Sequence, residues 1–367
     1  MKVIHIAYFN SAIANVGVVK QMQSEKDLAK KNNIQLDVQL WSGDYIDNYD
    51  VICLYPEKCK TRFSKRLYFL KYIRKLTVDY DFVIVRYAPV DFFVPFWDFS
   101  KSNILFVHHT KEGIVLRNGF KSPLGFIYAF LDSIIASISL NRAKGLIAVT
   151  GDILDYEQKR CLLIDNKTNF IYPNGIDYDE VQVCEDNRAG PTKVIFIASY
   201  FFDWHGLSQV LDSILRVNSH DGFELHLVGN VQAKDMELVN KLVDAGVVKN
   251  HGRLDTHEIK KLMANMDVGL ASFSLELAGL NEACTLKVRE YISAGLPVYS
   301  GHIDSAFNND FTFFKVTDNF SFLELIQFCN EMRNVERNVV RNAAKKHINK
   351  VDLLKKLSNW LTVIRNT

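Results

Sequence analysis

DVGLASFSLELAGLNEACTLKVREYISAGLPVYSG, residues 267–301, passes from a short apolar run through a loop and an amphipathic segment to a second apolar run. Two strand-length runs joined by a helix-length segment form a βαβ unit, whose strands lie parallel in one sheet. The same alternation continues outward in both directions. Upstream, KVIFIASY (193–200), FELHLVG (223–229) and VVKNHG (247–252) are strand-like, and 206–217, 233–245, 256–265 and 286–294 have helical spacing. Further upstream a first series reads KVIHIAYF (2–9), IQLDVQL (34–40), VICL (51–54), FVIVRY (82–87), NILFVHH (103–109) and GLIAVT (145–150), with helices expected over 16–32, 62–77 and 122–142.

The turn formers Pro173, Asn174 and Gly175 interrupt the pattern between the two series. A chain of 367 residues exceeds one ordinary core. The expected architecture is therefore α/β with two Rossmann-like domains, 1–174 and 175–367, facing across a cleft. The last fifty or so residues read as two or three helices with no strand signal, assigned to the second domain. In such sheets ligands lie outside the carboxyl ends of the strands, which directs attention to the loops there.

Hydrophobic residues make up 48% of the chain and charged residues 23%, so the whole length is expected to fold. The net charge of +2 conceals an asymmetry: residues 1–175 carry 23 Lys and Arg against 17 Asp and Glu, and the remainder is acidic. A basic first half suits anionic lipid or a phosphate-bearing ligand, although a solvated surface carries such an excess too. The six cysteines are scattered, with no C-x-x-C pair, so neither a metal centre nor a disulfide framework is expected. D-x-D occurs at Asp79/Asp81 and Asp177/Asp179, where surface turns explain it. No nucleic-acid partner is expected. The N-terminal MKVIHIAYF enters a strand directly, which predicts a cytoplasmic protein. The apolar stretch 122–140 carries Asp132 near its middle and reads as a buried helix rather than a membrane span.

Within 279–301, Glu282 falls in the loop and Glu290 on the helix, eight positions apart. A carboxylate accepts from two neighbouring hydroxyls at once, so such a pair suits the vicinal hydroxyls of a ribose and a hexose. Cys284, Thr285 and Leu286 open the helix, whose free N–H groups would face an anion such as a diphosphate. Lys287, three residues before Glu290, supplies a full positive charge for a leaving diphosphate, and Arg289 is a second candidate. Taken alone, this spacing also fits a solvated amphipathic helix. Its position between two buried-strand signals places it at the ligand edge of a sheet.

The stretch resembles the E-x(7)-E region of retaining GT-B glycosyltransferases of family 4. The resemblance implies that Glu282 lies by the transferred sugar and Glu290 binds the ribose of a UDP- or GDP-sugar. The segment IASYFFDWHGLSQVLDSI resembles the phosphate loop after the first strand of the donor domain. Many relatives carry Arg and Lys there, and this chain has Ser199 and His205 in those places. The W-H-G form, with L-K-x-R-E further on, is similar to a subset of bacterial polysaccharide glycosyltransferases. HLVGNV and NHGRLDTHE resemble the loops that cradle the base through backbone groups at Gly229, Gly252, Arg253 and Leu254. In the first domain the resemblance puts Gly17 near the donor phosphates and His109 near the reacting centre. His109 is preferred over His108 because strand alternation turns His108 inward.

The implied activity is metal-independent transfer of a sugar, with retention, to a saccharide or lipid-linked saccharide in cell-surface polysaccharide synthesis. TRFSKRLYFLKYIRKL, 61–76, has six basic and no acidic residues, with Phe63, Leu67, Leu70 and Ile73 at helical spacing. It reads equally as a helix on an anionic membrane, at the inner face of the cytoplasmic membrane, or as a core helix with a basic solvent face. Two other readings remain: a sugar-nucleotide epimerase with the same layout, which needs more acid and base groups, and a non-catalytic binding subunit, suggested by Ser199 and His205.

Overall fold

The computed structural model describes residues 1–99, 103–119, 123–161, 167–217, 220–307 and 310–366. The chain divides into two compact units, one of Met1–Pro173 with Lys350–Thr367 and one of Asn174–Asn349.

The first unit is built on seven strands: β1 Val3–Tyr8, β2 Leu36–Ser42, β3 Ile52–Leu54, β4 Phe82–Arg86, β5 Ile104–His108, β6 Gly145–Ala148 and β7 Thr168–Ile171. They pair in parallel in the order β3-β2-β1-β4-β5-β6-β7. The helices between them are α1 Val16–Lys31, α2 Arg62–Asp79, α3 Glu112–Gly119, α4 Pro123–Arg142 and α5 Gly151–Lys159. Side chains alternate across the sheet: Val3 and Ala7 pack in one cluster with Val19, Met22 and Leu28 of α1. Ile4, Ile6 and Tyr8 pack in the opposite one with Phe69, Ile73 and Leu76 of α2.

The second unit repeats the plan with β8 Thr192–Tyr200, β9 Phe223–Asn230, β10 Val248–Asn250, β11 Val268–Leu270, β12 Val298–Ser300 and β13 Phe314–Val316, in the parallel order β10-β9-β8-β11-β12-β13. Its helices are α6 Leu207–Leu215, α7 Met236–Asp244, α8 Thr256–Met263, α9 Leu286–Ser293, α10 Phe322–Met332 and α11 Arg337–Ile348. In each sheet the strand order reverses beside the first strand, between β1 and β4 and between β8 and β11. That crevice is where doubly wound sheets hold ligands.

Two short helices, α3 and α5, and the edge strand β13 lie beyond what periodicity revealed. The final helix, α12 Lys350–Arg365, belongs to the first unit and not to the second, where residues 175–367 had been grouped. Its Leu353, Leu354, Leu357, Leu361 and Ile364 are buried in the cluster beside α1, and Trp360 stacks on Phe170 at 4.9 Å. A helical stripe states that a face needs covering, not which core covers it.

The expected buried helix is α4, and only one of its faces is buried. Asp132, Ile135, Ala136, Ser139 and Leu140 face inward. Leu124, Phe126, Ile127, Phe130, Ile134 and Ile138 are exposed. Asp132 is satisfied by Arg160, Nη2 to Oδ2 2.5 Å, and by the Val90 amide at 2.8 Å. By length and composition α4 is long and apolar enough to cross a membrane. The apolar stripe of α2 splits: Leu70 and Ile73 are core, while Phe63 and Leu67 are exposed.

Candidate active site

At the carboxyl end of β8 the chain forms a one-turn helix over Asp203–His205 and enters α6 through Gly206, at φ 74°. A side chain at Gly206 would be strained by that φ, and its Cβ would stand 2.9 Å from Cβ of Phe273. The close approach is fastened by two backbone hydrogen bonds, Phe273 N–H to His205 O at 3.0 Å and Ser274 N–H to Trp204 O at 3.3 Å. The W-H-G loop and the loop after β11, which leads to Glu282, are thereby one surface at the crevice of the second sheet.

His205 Nδ1 is held by the Phe202 backbone, 3.0 Å from its amide and 3.3 Å from its carbonyl, which fixes the ring against the loop. Burial lowers the pKa of His205, so the ring is neutral. Phe202 and Trp204 stack with centroids 4.4 Å apart, and Tyr200 packs on Phe202 at 4.8 Å. These three aromatics are partly exposed at the strand end. The YFFDW run, 200–204, held their signal, but nothing local in it showed that they would stack. Ser199 is exposed on β8, beside a register shift between Ile197 and Tyr200.

Thr285 caps α9, its hydroxyl accepting from the Val288 amide at 3.4 Å. The Leu286 and Lys287 amides are the first two of the helix and, as at any helix N-terminus, have no intrahelical acceptor. Lys287 Nζ lies 2.7 Å from Glu290 Oε2, with side chains 38% and 46% exposed. An exposed pair of this kind is worth little and yields readily to a ligand. Glu282 is half-buried, in a backbone bridge with Ile303. Asn174 braces the loop: its side chain donates to Cys284 O at 2.8 Å.

Arg289 is the correction. Its side chain is fully buried, forked onto Asp304 at 2.5 and 2.9 Å, with Nε donating to Asn174 O at 2.7 Å. Every direction of its fork is spent on protein, so it holds the turn at 173–175 and the loop after β12 and is not available to a diphosphate. Helical phase decides this: Val288, Arg289 and Ile292 face inward, and Leu286, Lys287 and Glu290 do not.

Gly229, at φ 124°, is the residue before the end of β9, its amide donating to Gly252 O at 2.6 Å in the loop after β10. A Cβ there would overlap the Ala198 carbonyl, so the ends of β8 and β9 approach too closely for a side chain. Arg253 is exposed and Leu254 half-buried on this edge.

In the first unit, Gly17 lies in the first turn of α1, with a helical backbone and open space where a side chain would be. The position therefore does not require glycine. His108 is fully buried, its Nδ1 3.1 Å from Glu112 and 3.6 Å from Glu157. Burial pushes both carboxyls up to about 7. These three groups offer metal-ligand atoms within 4.8 Å of one another. Arg160 Nη1 already donates to both oxygens of Glu157, at 3.0 and 2.9 Å, so the cluster reads as a proton-sharing network. His109 is half-buried just beyond β5, held neutral by burial and by Arg86.

No protein-family model matches the sequence, and no curated protein sequence matches it. Solved structures do. The lipopolysaccharide outer core galactosyltransferase WaaB in its apo form is 11% identical, with TM-score 0.64 over 99% of each chain. Alr3699/HepE of Anabaena in complex with UDP is 13% identical, with TM-score 0.63 over 99% of this chain and 100% of that one. WaaG, a glycosyltransferase involved in lipopolysaccharide biosynthesis, is 16% identical, with TM-score 0.60 over 98% and 99%. With two parallel sheets of the same strand order, and full-length likeness to these structures, the chain has the GT-B fold of glycosyltransferases.

Proposed function

We propose that this protein is a glycosyltransferase that takes a sugar from a UDP- or GDP-sugar bound by the second unit and passes it to a saccharide or lipid-linked saccharide. The joined surface of the W-H-G loop and the Glu282–Glu290 segment, at the crevice of the second sheet, carries this reading. The neighbouring HepE has been solved with UDP and with UDP-glucose, which supports a nucleotide-sugar donor. In this reading Glu290 holds the ribose and Glu282 lies by the sugar. The helix N-terminus at Thr285–Leu286, Lys287 and the His205 ring together stabilise the departing diphosphate. Retention of configuration, independence from metal and a role in cell-surface polysaccharide belong to the same proposal and rest on the likeness of the motifs.

Membrane contact, if the acceptor is lipid-linked, falls to α4 more than to the stripe first expected on α2. Arg142 donates to Pro95 O at 2.5 Å and Arg74 to Phe96 O at 3.4 Å, so the 91–97 loop joins α2 to α4. The exposed Phe92 and Phe96 are carried on this loop, and with the apolar face of α4 and the basic residues of α2 they suit an anionic lipid surface.

The test is a thermal-shift screen of UDP- and GDP-sugars, with and without EDTA, followed by hydrolysis and transfer assays on the stabilising donor. One donor is expected to raise the melting temperature, Glu290→Ala to abolish that rise, and EDTA to leave it intact. Conversion of the donor to an epimer without any acceptor would instead establish the isomerase reading, and no response to any sugar nucleotide would defeat both.

A further inference from the structure

The crevice of the first sheet holds a cavity of about 200 Å³, walled by Tyr8–Asn10 at the end of β1, Arg86–Pro89 at the end of β4, and Arg66 of α2. Its two arginines are in different electrostatic states. Arg66 is matched: its Nη1 is 3.6 Å from Asp91, and its guanidinium lies 4.0 Å over the Tyr8 ring, while the Tyr8 hydroxyl donates to Asp91 at 2.6 Å. Asp91 is thus spent on Arg66 and Tyr8. Arg86 is half-buried, 5.9 Å from the Phe9 ring, and has no ion pair or hydrogen bond among the described residues.

A desolvated guanidinium without an acceptor is costly, and burial pulls the Arg86 pKa down to about 10, with only Glu112 opposing it. Arg86 in turn helps burial to hold His109 neutral, so that ring adds no second cation here. A cation kept unpaired in a cavity at the ligand edge of a sheet is placed for an anion from outside the chain, and the planar fork suits a phosphate or carboxylate.

We propose that this cavity is a subsite for an anionic group, phosphoryl or carboxylate, on the saccharide that accepts the sugar, with Arg86 as its ligand. The proposal rests on the glycosyltransferase reading for the word acceptor, whereas the anion site itself stands on the geometry of the first unit.

The test titrates the full chain, saturated with UDP to fill the donor side, with inorganic phosphate, glucose 1-phosphate, glucuronate and glucose by calorimetry, for wild type, Arg86→Gln and Arg86→Lys. The expected result is binding of the anions and not of glucose, at least tenfold weaker in the Gln variant and within about threefold in the Lys variant. Arg86→Gln is expected to melt at or above the wild-type temperature, because it removes an unpaired charge. Equal anion binding by Arg86→Gln, no anion binding by wild type, or a lower melting temperature for Arg86→Gln would each overturn the proposal, the last by marking a structural role. Displacement of phosphate by glucose 1-phosphate assigns the site to a soluble sugar phosphate, and displacement only by vesicles containing phosphatidic acid assigns it to a lipid phosphate. Failure of UDP to bind would fall on the donor reading and leave the anion result standing.

Discussion

Lys287 and Arg289 sit two positions apart on one eight-residue helix and have opposite fates. Lys287 reaches solvent and shares only an exposed pair with Glu290, whereas Arg289 is fully buried on Asp304. Removing one partner of a buried pair strands the other charge, at a cost of roughly 3–5 kcal/mol, while an exposed pair contributes less than about 1. Arg289→Met is therefore expected to lower urea stability by several kcal/mol. Lys287→Ala is expected to leave stability within about 0.5 kcal/mol and to abolish sugar transfer. If the two variants lose stability equally, the division of roles between them is wrong. Both residues are visible in L-K-x-R-E, where Arg289 stands as the second candidate beside Lys287; only the helical phase, known once the helix start at Leu286 is fixed, removes it.

At the scale of elements, the site is made by strand ends and by close approaches between loops. Gly206 joins two demands, a left-handed backbone and contact with Phe273, that no side chain meets. Gly206→Ala is expected to cost at least about 1 kcal/mol through the backbone alone. It also pushes the W-H-G loop off the loop before Glu282, and the measurement is weakened UDP binding together with lowered melting temperature. Thr285→Ala, by contrast, removes only a helix cap, worth about 1 kcal/mol. On the first unit, Phe126→Asp with Phe130→Asp on the exposed face of α4 is expected to reduce co-sedimentation with anionic vesicles while leaving the melting temperature unchanged. Undiminished vesicle binding by that variant would remove α4 from the membrane reading.

Over the whole molecule, the return of α12 to the first unit brings Lys350 to Glu25, which also bonds His5 at 3.0 Å and the Tyr172 hydroxyl at 2.9 Å. Burial by itself would raise the Glu25 pKa, but Lys350 and then His5 overcome it and hold the carboxyl at about 2. A depressed carboxyl stabilises the fold above its unfolded value near 4.5 and ceases to do so as pH falls through 2. A shift of that size is worth on the order of 3 kcal/mol, so Glu25→Gln is expected to flatten the acid limb of the stability profile. Glu112 and Glu157 work in the other direction. Raised to about 7 by burial, they favour the protonated folded state, a contribution complete below 4.5 and lost as pH rises through 7. His108, its pKa lowered by burial, acts in the opposite sense until the unfolded ring has lost its proton. The two carboxyls therefore withdraw stability mainly between pH 4.5 and 7, and over that range the melting temperature of Glu112→Gln is expected to fall less, or rise more, than that of the wild type.

The amino-acid sequence by itself determined the two parallel-sheet series, the break at Pro173–Gly175 and the strand-end position of Glu282, Thr285, Lys287, Glu290 and His205. Hydrophobic period and turn chemistry are properties of neighbouring residues and survive without a third dimension. Only the tertiary structure decided that α12 belongs to the first unit, that Arg289 is spent on Asp304, that α4 bares one face, and that Arg86 stands unpaired in a cavity. Each of these depends on which distant side chain covers a face or answers a charge, and burial and ionic pairing arise between segments far apart in the chain.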